Sequence, residues 1–281
     1  MPEANYKISY LGTTRTFLKL GTCSETLCNV LDRAFAQSFP HEEHGSIPLA
    51  GGIVQHGYQC GMLWGAALAA GARAHRLLGA GPQAEAEAIA AAQRLAETLA
   101  AHYHSVDCRA ITGVDWRSKN GMLKYFLKGG PIACFHMASR YAPLAYQEIN
   151  IALHQKNEAA PAAPVSCAAL LARQLGATDL QATMAAGLAG GIGLSGGGCG
   201  ALGAAIWIME TKNSQQNPHA KADFENPRAK EIIDRFLHSS KGEFTCGKIV
   251  GRKFSSVADH ADFLHDGGCA NIIAALNAKS S

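Results

Sequence analysis

The sequence predicts an all-α protein made of two homologous helical halves, packed about an approximate pseudo-twofold axis. Apolar residues recur at helical spacing in one segment after another, whereas period-two alternation is nowhere sustained and β-branched residues are sparse. The chain also repeats itself. Leu49-Ala50-Gly51-Gly52-Ile53 leads to Cys60, and Leu188-Ala189-Gly190-Gly191-Ile192 leads to Cys199, both at an offset of 139 residues (188 − 49 and 199 − 60).

The cysteines extend the repeat. Cys23, Cys60, Cys108 and Cys134 find counterparts in Cys167, Cys199, Cys246 and Cys269. Cys108 to Gly113 resembles Cys246 to Gly251, and a double glycine precedes the last cysteine of each set (Gly129-Gly130 and Gly267-Gly268). Cys28 alone has no partner, because Ala172 stands in its place.

The elements follow in order. Residues 22–37 carry Leu27, Val30, Leu31, Ala34 and Phe35 on one helical face. The Leu49–Ile53 block reads as a short helix running into a glycine turn. Cys60 opens an Ala-rich helix over 61–78, and Pro82 starts another that keeps Ile89, Ala92, Leu95, Leu99 and Tyr103 together. Cys108 lies just past its end, and Cys134 begins a further helix. The Pro- and Ala-rich stretch 156–165 reads as a linker between a first repeat, 1–155, and a second, 166–281. There Cys167 opens a short helix and Thr178-Asp179-Leu180-Gln181 is a capping box. Asn226-Pro227 starts a helix through Leu237, Ser256 starts the next, Gly267 ends it and Cys269 begins the last.

Composition narrows the function classes. A formal charge of +3 without a Lys/Arg run gives no basic footprint for nucleic acid. Residues 182–209 contain no charge, but Gly196-Gly197-Gly198 interrupts them, so a buried soluble element is expected rather than membrane insertion. The N-terminal residues lack an apolar export signal, which points to the cytoplasm, where clustered thiols more often serve metal or redox chemistry than disulfides. The twelve histidines do not recur in register, and Trp64, Trp116 and Trp207 read as core or interface residues.

Cys60, Cys134, Cys167, Cys199 and Cys269 fall at or near predicted helix starts, where unpaired N–H groups favour thiolate. Thiolate is the form that ligates metal or attacks a disulfide. The neighbouring glycines, of which Gly61, Gly198 and Gly200 are the candidates for cofactor contact, would let backbone approach a bulky inorganic centre. The only paired spacing of the kind structural zinc takes is Cys23–Cys28, which the second copy lacks, and the ferredoxin spacings are missing, so dispersed ligands on separate helices fit a buried cluster better than a knuckle. Zinc or another soft metal, and metal-free thiol–disulfide exchange, remain the competing readings.

These residues resemble the C_GCAxxG_C_C family, named for its cysteine pattern and held to be redox-active. Gly198-Cys199-Gly200-Ala201-Leu202-Gly203 departs from the motif only at Gly200, a small-for-small exchange. In the first copy Gln59 replaces the leading glycine, and Trp64 stands where the closing glycine belongs. The resemblance implies a tandem duplication in which all eight paired cysteines are ligands. It further implies iron–sulfur binding, electron transfer or reductive chemistry, and a redox partner protein.

Overall fold

The periodic segments are helices. A computed structural model describes residues 8–155, 159–217 and 224–278, and these form fifteen α-helices with no strand. The first half of the chain holds α1 (Tyr10–Leu20), α2 (Cys23–Ala34), α3 (Pro40–Gly45), α4 (Gly61–Leu78), α5 (Pro82–Tyr103), α6 (Cys108–Thr112), α7 (Lys119–Leu127) and α8 (Gly130–His154). The second holds α9 (Cys167–Gln174), α10 (Asp179–Ala186), α11 (Gly200–Gln216), α12 (Pro227–Ser239), α13 (Cys246–Val250), α14 (Val257–His265) and α15 (Ala270–Asn277). No helix among the described residues is long and apolar enough to cross a membrane. Part of the predicted linker, 156–158, lies outside the described residues.

Local sequence sets the helix starts. Thr178 and Gln181 form the expected reciprocal capping box, and the side chains of Asn226 and Ser256 accept from backbone N–H groups of α12 and α14. The sequence did not announce α1, which buries only Thr13 and Phe17 and leaves Leu11 and Leu18 exposed. A helix with so narrow an apolar face gives little periodic signal.

The Leu-Ala-Gly-Gly-Ile block is not a plain glycine turn. Gly51 to Gln55 run consecutively in the left-handed region, with φ of 71°, 78°, 57°, 47° and 62°. Gly190 to Leu194 repeat the run at 60°, 80°, 65°, 57° and 60°. Each non-glycine residue there costs about 1–2 kcal/mol, and Ile53 and Ile192 accept that cost while fully buried. The glycines serve a close crossing: a Cβ on Gly52 would strike the backbone of Tyr58, and one on Gly191 that of Gly197.

The halves exchange contacts reciprocally. Element starts Pro40 and Asp179, and Gly61 and Gly200, share the 139-residue offset (179 − 40 and 200 − 61). Helix α3 packs on α11 while its counterpart α10 packs on α4. Gly45 brings α3 against Thr211, and Gly71 brings α4 against Thr183 and Met184. Trp207 Nε1 donates to the Glu42 carbonyl at 2.9 Å across the same interface. The Ala-rich helices therefore bury their small-residue faces against each other, and the uncharged 182–209 stretch is core.

On the axis itself the two departures from the motif find their reason. Gln59 and Gly198 are equivalent positions, and they bond to each other. Gln59 Nε2 donates to the carbonyls of Gly198 (3.2 Å) and Gly191 (2.9 Å), and Gly198 N–H donates to Gln59 Oε1 at 2.9 Å. Trp64 and Gly203 are likewise equivalent, and the indole lies directly on the glycine. Glycine in both copies would leave a hole at each pair. One large residue against one glycine fills it.

Candidate functional site

Each repeat gathers its own four cysteines. Cys23 and Cys167 are the first residues of α2 and α9, and Cys60 and Cys199 cap α4 and α11. Cys108 and Cys246 open α6 and α13, five-residue helices that the sequence reading missed. Cys134 lies in the first turns of α8, and Cys269 caps α15 at φ 61°. An antiparallel bridge locks the second and third cysteines together in each copy. Cys60 N–H donates to the Val106 carbonyl and Cys108 N–H to that of Tyr58, both at 2.7 Å. Cys199 N–H donates to Phe244 (2.8 Å) and Cys246 N–H to Gly197 (2.7 Å) in the same way.

The first set lines a cavity of about 370 Å3, together with Gly51, Met62, Trp116, Tyr125 and Phe135. Cys23 and Cys60 are hydrogen-bonded to each other. That bond and the N–H of Gly51 hold the Cys23 thiol below its usual range against the effect of burial, whereas Cys60 sits well above it. Burial and the nearby Cys23 charge push Cys108 up to about 12, and burial raises Cys134 to about 11. Trp116 Nε1 donates to Cys108 Sγ at 3.2 Å, and the Tyr125 hydroxyl donates to Cys134. Trp116 thus belongs to the site, which corrects its reading as a core residue.

The second set is built alike but lined differently. Burial and the charges of Cys199, Cys167 and Cys269 raise Cys246, and burial and Cys167 push Cys199 up to about 12. Cys269 is raised by burial, Cys167 and Cys199. Cys167 lies low: burial is the largest influence and raises it, but His260 and the N–H groups of Gly190 and Ala168 outweigh that. Phe254 and Phe263 replace Trp116 and Tyr125 at the shared offset of 138 (254 − 116 and 263 − 125), and neither ring has an N–H or O–H to offer a thiol. His260 hydrogen-bonds Cys167 instead. Its counterpart is Met122, so a search for histidines in register passes over it.

The three candidate glycines have separate surroundings. Gly61 faces Cys23, whose Sγ would lie 2.5 Å from an added Cβ. Gly198 is engaged by Gln59, and an added Cβ on Gly200 would run into the Leu188 carbonyl. Alanine for Gly200 is therefore not a neutral exchange in this chain. Gly61 occupies the same position in the first copy, and there too the family's alanine is excluded by close approach.

No curated protein and no solved structure matches the chain. The family model described as "Putative redox-active protein (C_GCAxxG_C_C)" matches it twice, over residues 22–146 and 164–280. The chain belongs to this family. As a C_GCAxxG_C_C protein it carries the family unit in tandem and has a general redox role. The cysteine sets described above fall one in each match, and the pseudo-twofold packing is that of the duplicated unit.

Cys28 stands outside both sets. It is fully buried, its thiol donates to Asp32 Oδ2 at 3.6 Å, and burial with the charges of Asp32 and Glu43 raises it well above its usual range. A thiol held protonated in this way is a poor ligand and a poor nucleophile. Cys28→Ala is expected to cost about 1 kcal/mol, the loss of one small side chain and one weak hydrogen bond. Metal content and redox behaviour should be unchanged. Loss of bound metal in this variant would show that the assignment of the eight paired cysteines is incomplete.

The raised thiols also fix a pH dependence. Cys108, Cys134 and Cys199 have folded-state pKa values above those of the unfolded chain, so their contribution to stability is present at neutral pH. It is lost as pH rises from about 9 through 11–12. Denaturant unfolding of metal-free, reduced protein should therefore give lower midpoints at pH 10.5 than at pH 8. Metal uptake should show the opposite sign, strengthening as pH rises, because ligation releases these protons.

Proposed function

We propose that this protein is an iron–sulfur protein, with one centre held by Cys23, Cys60, Cys108 and Cys134 and a second by Cys167, Cys199, Cys246 and Cys269, used in electron transfer or reductive chemistry with a redox partner protein. The observation that carries this reading is the cavity of about 370 Å3 onto which all four thiols of the first repeat open. Among the described residues no three His, Cys, Asp or Glu side chains are arranged to hold a metal ion, so the reading rests on the cavity and on the donor type. A ring of sulfurs around a cavity fits a polynuclear centre better than one zinc ion, and an all-thiolate donor set is what iron–sulfur clusters take.

When bound, the cluster supplies one-electron transfer. The rest is the work of the chain. Gly51 and Gly190 direct N–H groups at Cys23 and Cys167, and Trp116 and Tyr125 donate to Cys108 and Cys134. Such hydrogen bonds withdraw charge from ligand sulfur and favour the reduced state. Phe17, Met62, Met122, Phe126 and Phe135 make the lining around the first set of thiols largely apolar. The bonded pair Gln59–Gly198 and the stacked rings of Tyr58 and Phe244, 4.8 Å apart, join the backbone segments that carry the two centres.

Anaerobically purified protein is expected to be coloured and to contain iron and acid-labile sulfide in comparable amounts. Colourless protein with stoichiometric zinc, after expression in ample iron, would overturn the reading.

One observation favours a second reading, metal-free thiol–disulfide exchange. The Cys23–Cys60 pair combines a lowered thiol with a bonded neighbour. The Cys23 thiolate would attack a substrate disulfide and expel one thiolate. Cys60, losing its proton, would then attack the mixed disulfide, leaving a Cys23–Cys60 disulfide and a fully reduced substrate. Iron-free protein that becomes oxidised at this pair on reacting with a disulfide would establish it.

A further inference from the structure

A second cavity, of about 500 Å3, adjoins the first set of cysteines. Thr112, Tyr125, Cys134 and Met137 line both cavities, so whatever occupies this one lies beside Cys134. Ile111, Val114 and Met137 give it an apolar wall. Its polar groups come from three helices: Tyr103 at the end of α5, Lys124 and Lys128 at the end of α7, and His136 on α8. Tyr10 Oη lies 3.0 Å from His136 Nδ1 and holds that ring in place. The Lys124 and Lys128 ammonium groups and the Tyr103 hydroxyl have no hydrogen-bond or ion-pair partner among the described residues. No carboxylate lines the cavity. Two lysines four residues apart on a helix repel each other unless an anion lies between them.

The second repeat has the same cavity without the charge. It measures about 330 Å3 and is lined by Ile249, Phe263, Cys269 and Asn271 where the first has Ile111, Tyr125, Cys134 and His136, at offsets of 138, 138, 135 and 135. No Lys, Arg or His lines it. Asp262 and Asp266 stand where Lys124 and Lys128 do (262 − 124 and 266 − 128 are both 138). Cations at a helix C-terminus ordinarily complement the macrodipole, but α14 carries aspartates at these positions, so the shared fold does not require the lysines. We infer that the cavity beside Cys134 binds a small organic anion, a carboxylate or phosphate ester with an apolar body. Its charge is met by Lys124 and Lys128, and its body lies among Ile111, Val114 and Met137. A cavity of this size, mostly apolar with a few convergent polar groups, is the ordinary form of a small-molecule site. The duplicated unit thus faces a small molecule on one side only.

Full-length protein, purified anaerobically, is titrated at low ionic strength with benzoate, hexanoate and phenyl phosphate, followed by ligand-observed NMR and calorimetry. Each is compared with its uncharged counterpart, benzamide, hexanamide or phenol. At least one anion is expected to bind saturably at a single site per chain, about tenfold more tightly than its counterpart. Lys124→Gln with Lys128→Gln should abolish that preference, and Ala133→Trp, which fills the cavity, should abolish binding itself. Lys230→Gln, an equal change of charge on exposed α12, should alter neither. The lysines are exposed, so their double variant decides the matter if Ala133→Trp fails to fold. No saturable binding of any of the three anions overturns the inference. So does an affinity no greater than that of the uncharged counterparts, binding unchanged in the double variant, or an equal loss in Lys230→Gln. Iron and sulfide are measured on the same samples. Protein that binds the anion but holds neither overturns the iron–sulfur reading and leaves this inference standing, since the cavity does not depend on what the thiols hold.

Discussion

Trp64→Ala is expected to lower the unfolding free energy by about 3–5 kcal/mol, the range for truncating a buried aromatic side chain. The indole is wholly buried, donates through Nε1 to the Gln59 carbonyl at 3.0 Å and covers Gly203 of the other half. Truncation opens a cavity on the pseudo-twofold axis, where neither repeat can close it alone. Gly203→Val should also destabilise, by about 1–3 kcal/mol, because its side chain enters space the indole already fills. The double variant tests the pairing. If the two positions compensate, Trp64→Ala with Gly203→Val should be more stable than the sum of the single losses predicts, with a coupling of about 1 kcal/mol or more. Additive losses in denaturant unfolding would mean that the large-against-small arrangement is incidental.

Removing one thiol from either set is expected to remove about half of the bound iron and leave the other half in place. Cys108→Ala should empty the first centre and Cys246→Ala the second, and the double variant should bind almost none. The physical ground is that thiols within a set feel one another's charge, Cys108 that of Cys23 and Cys134, and Cys246 that of Cys199, Cys167 and Cys269. Iron per chain, measured with sulfide and with protein concentration from amino-acid analysis, checks this. Complete loss of iron in either single variant would instead indicate one centre shared between the repeats.

Much of the site was legible in the sequence, because a duplication keeps what the fold cannot lose. The in-register recurrence of Cys60 and Cys199, and of the Gly-Gly-Ile block before them, marked a turn and a cysteine at a helix start without any structure, but the five-residue left-handed run emerged only in the fold. What the sequence obscured was the meaning of the differences between copies. Gln59 and Trp64 read only as departures of the first copy from the motif. They are the halves of two pairs completed by Gly198 and Gly203, and a pair formed across 139 residues has no local signature.

The sequence by itself determined the helical class, the two repeats, the pairing of eight cysteines and the lack of a counterpart for Cys28, since all of these follow from periodicity and register along one chain. Only the tertiary structure decided that each repeat gathers its own four thiols, that Trp116, Tyr125 and His260 serve them, and that alanine cannot stand at Gly61 or Gly200. These depend on which side chain reaches which sulfur or carbonyl, over distances of a few ångströms between helices remote in the chain. Packing fixes such distances, and composition and spacing carry no record of them.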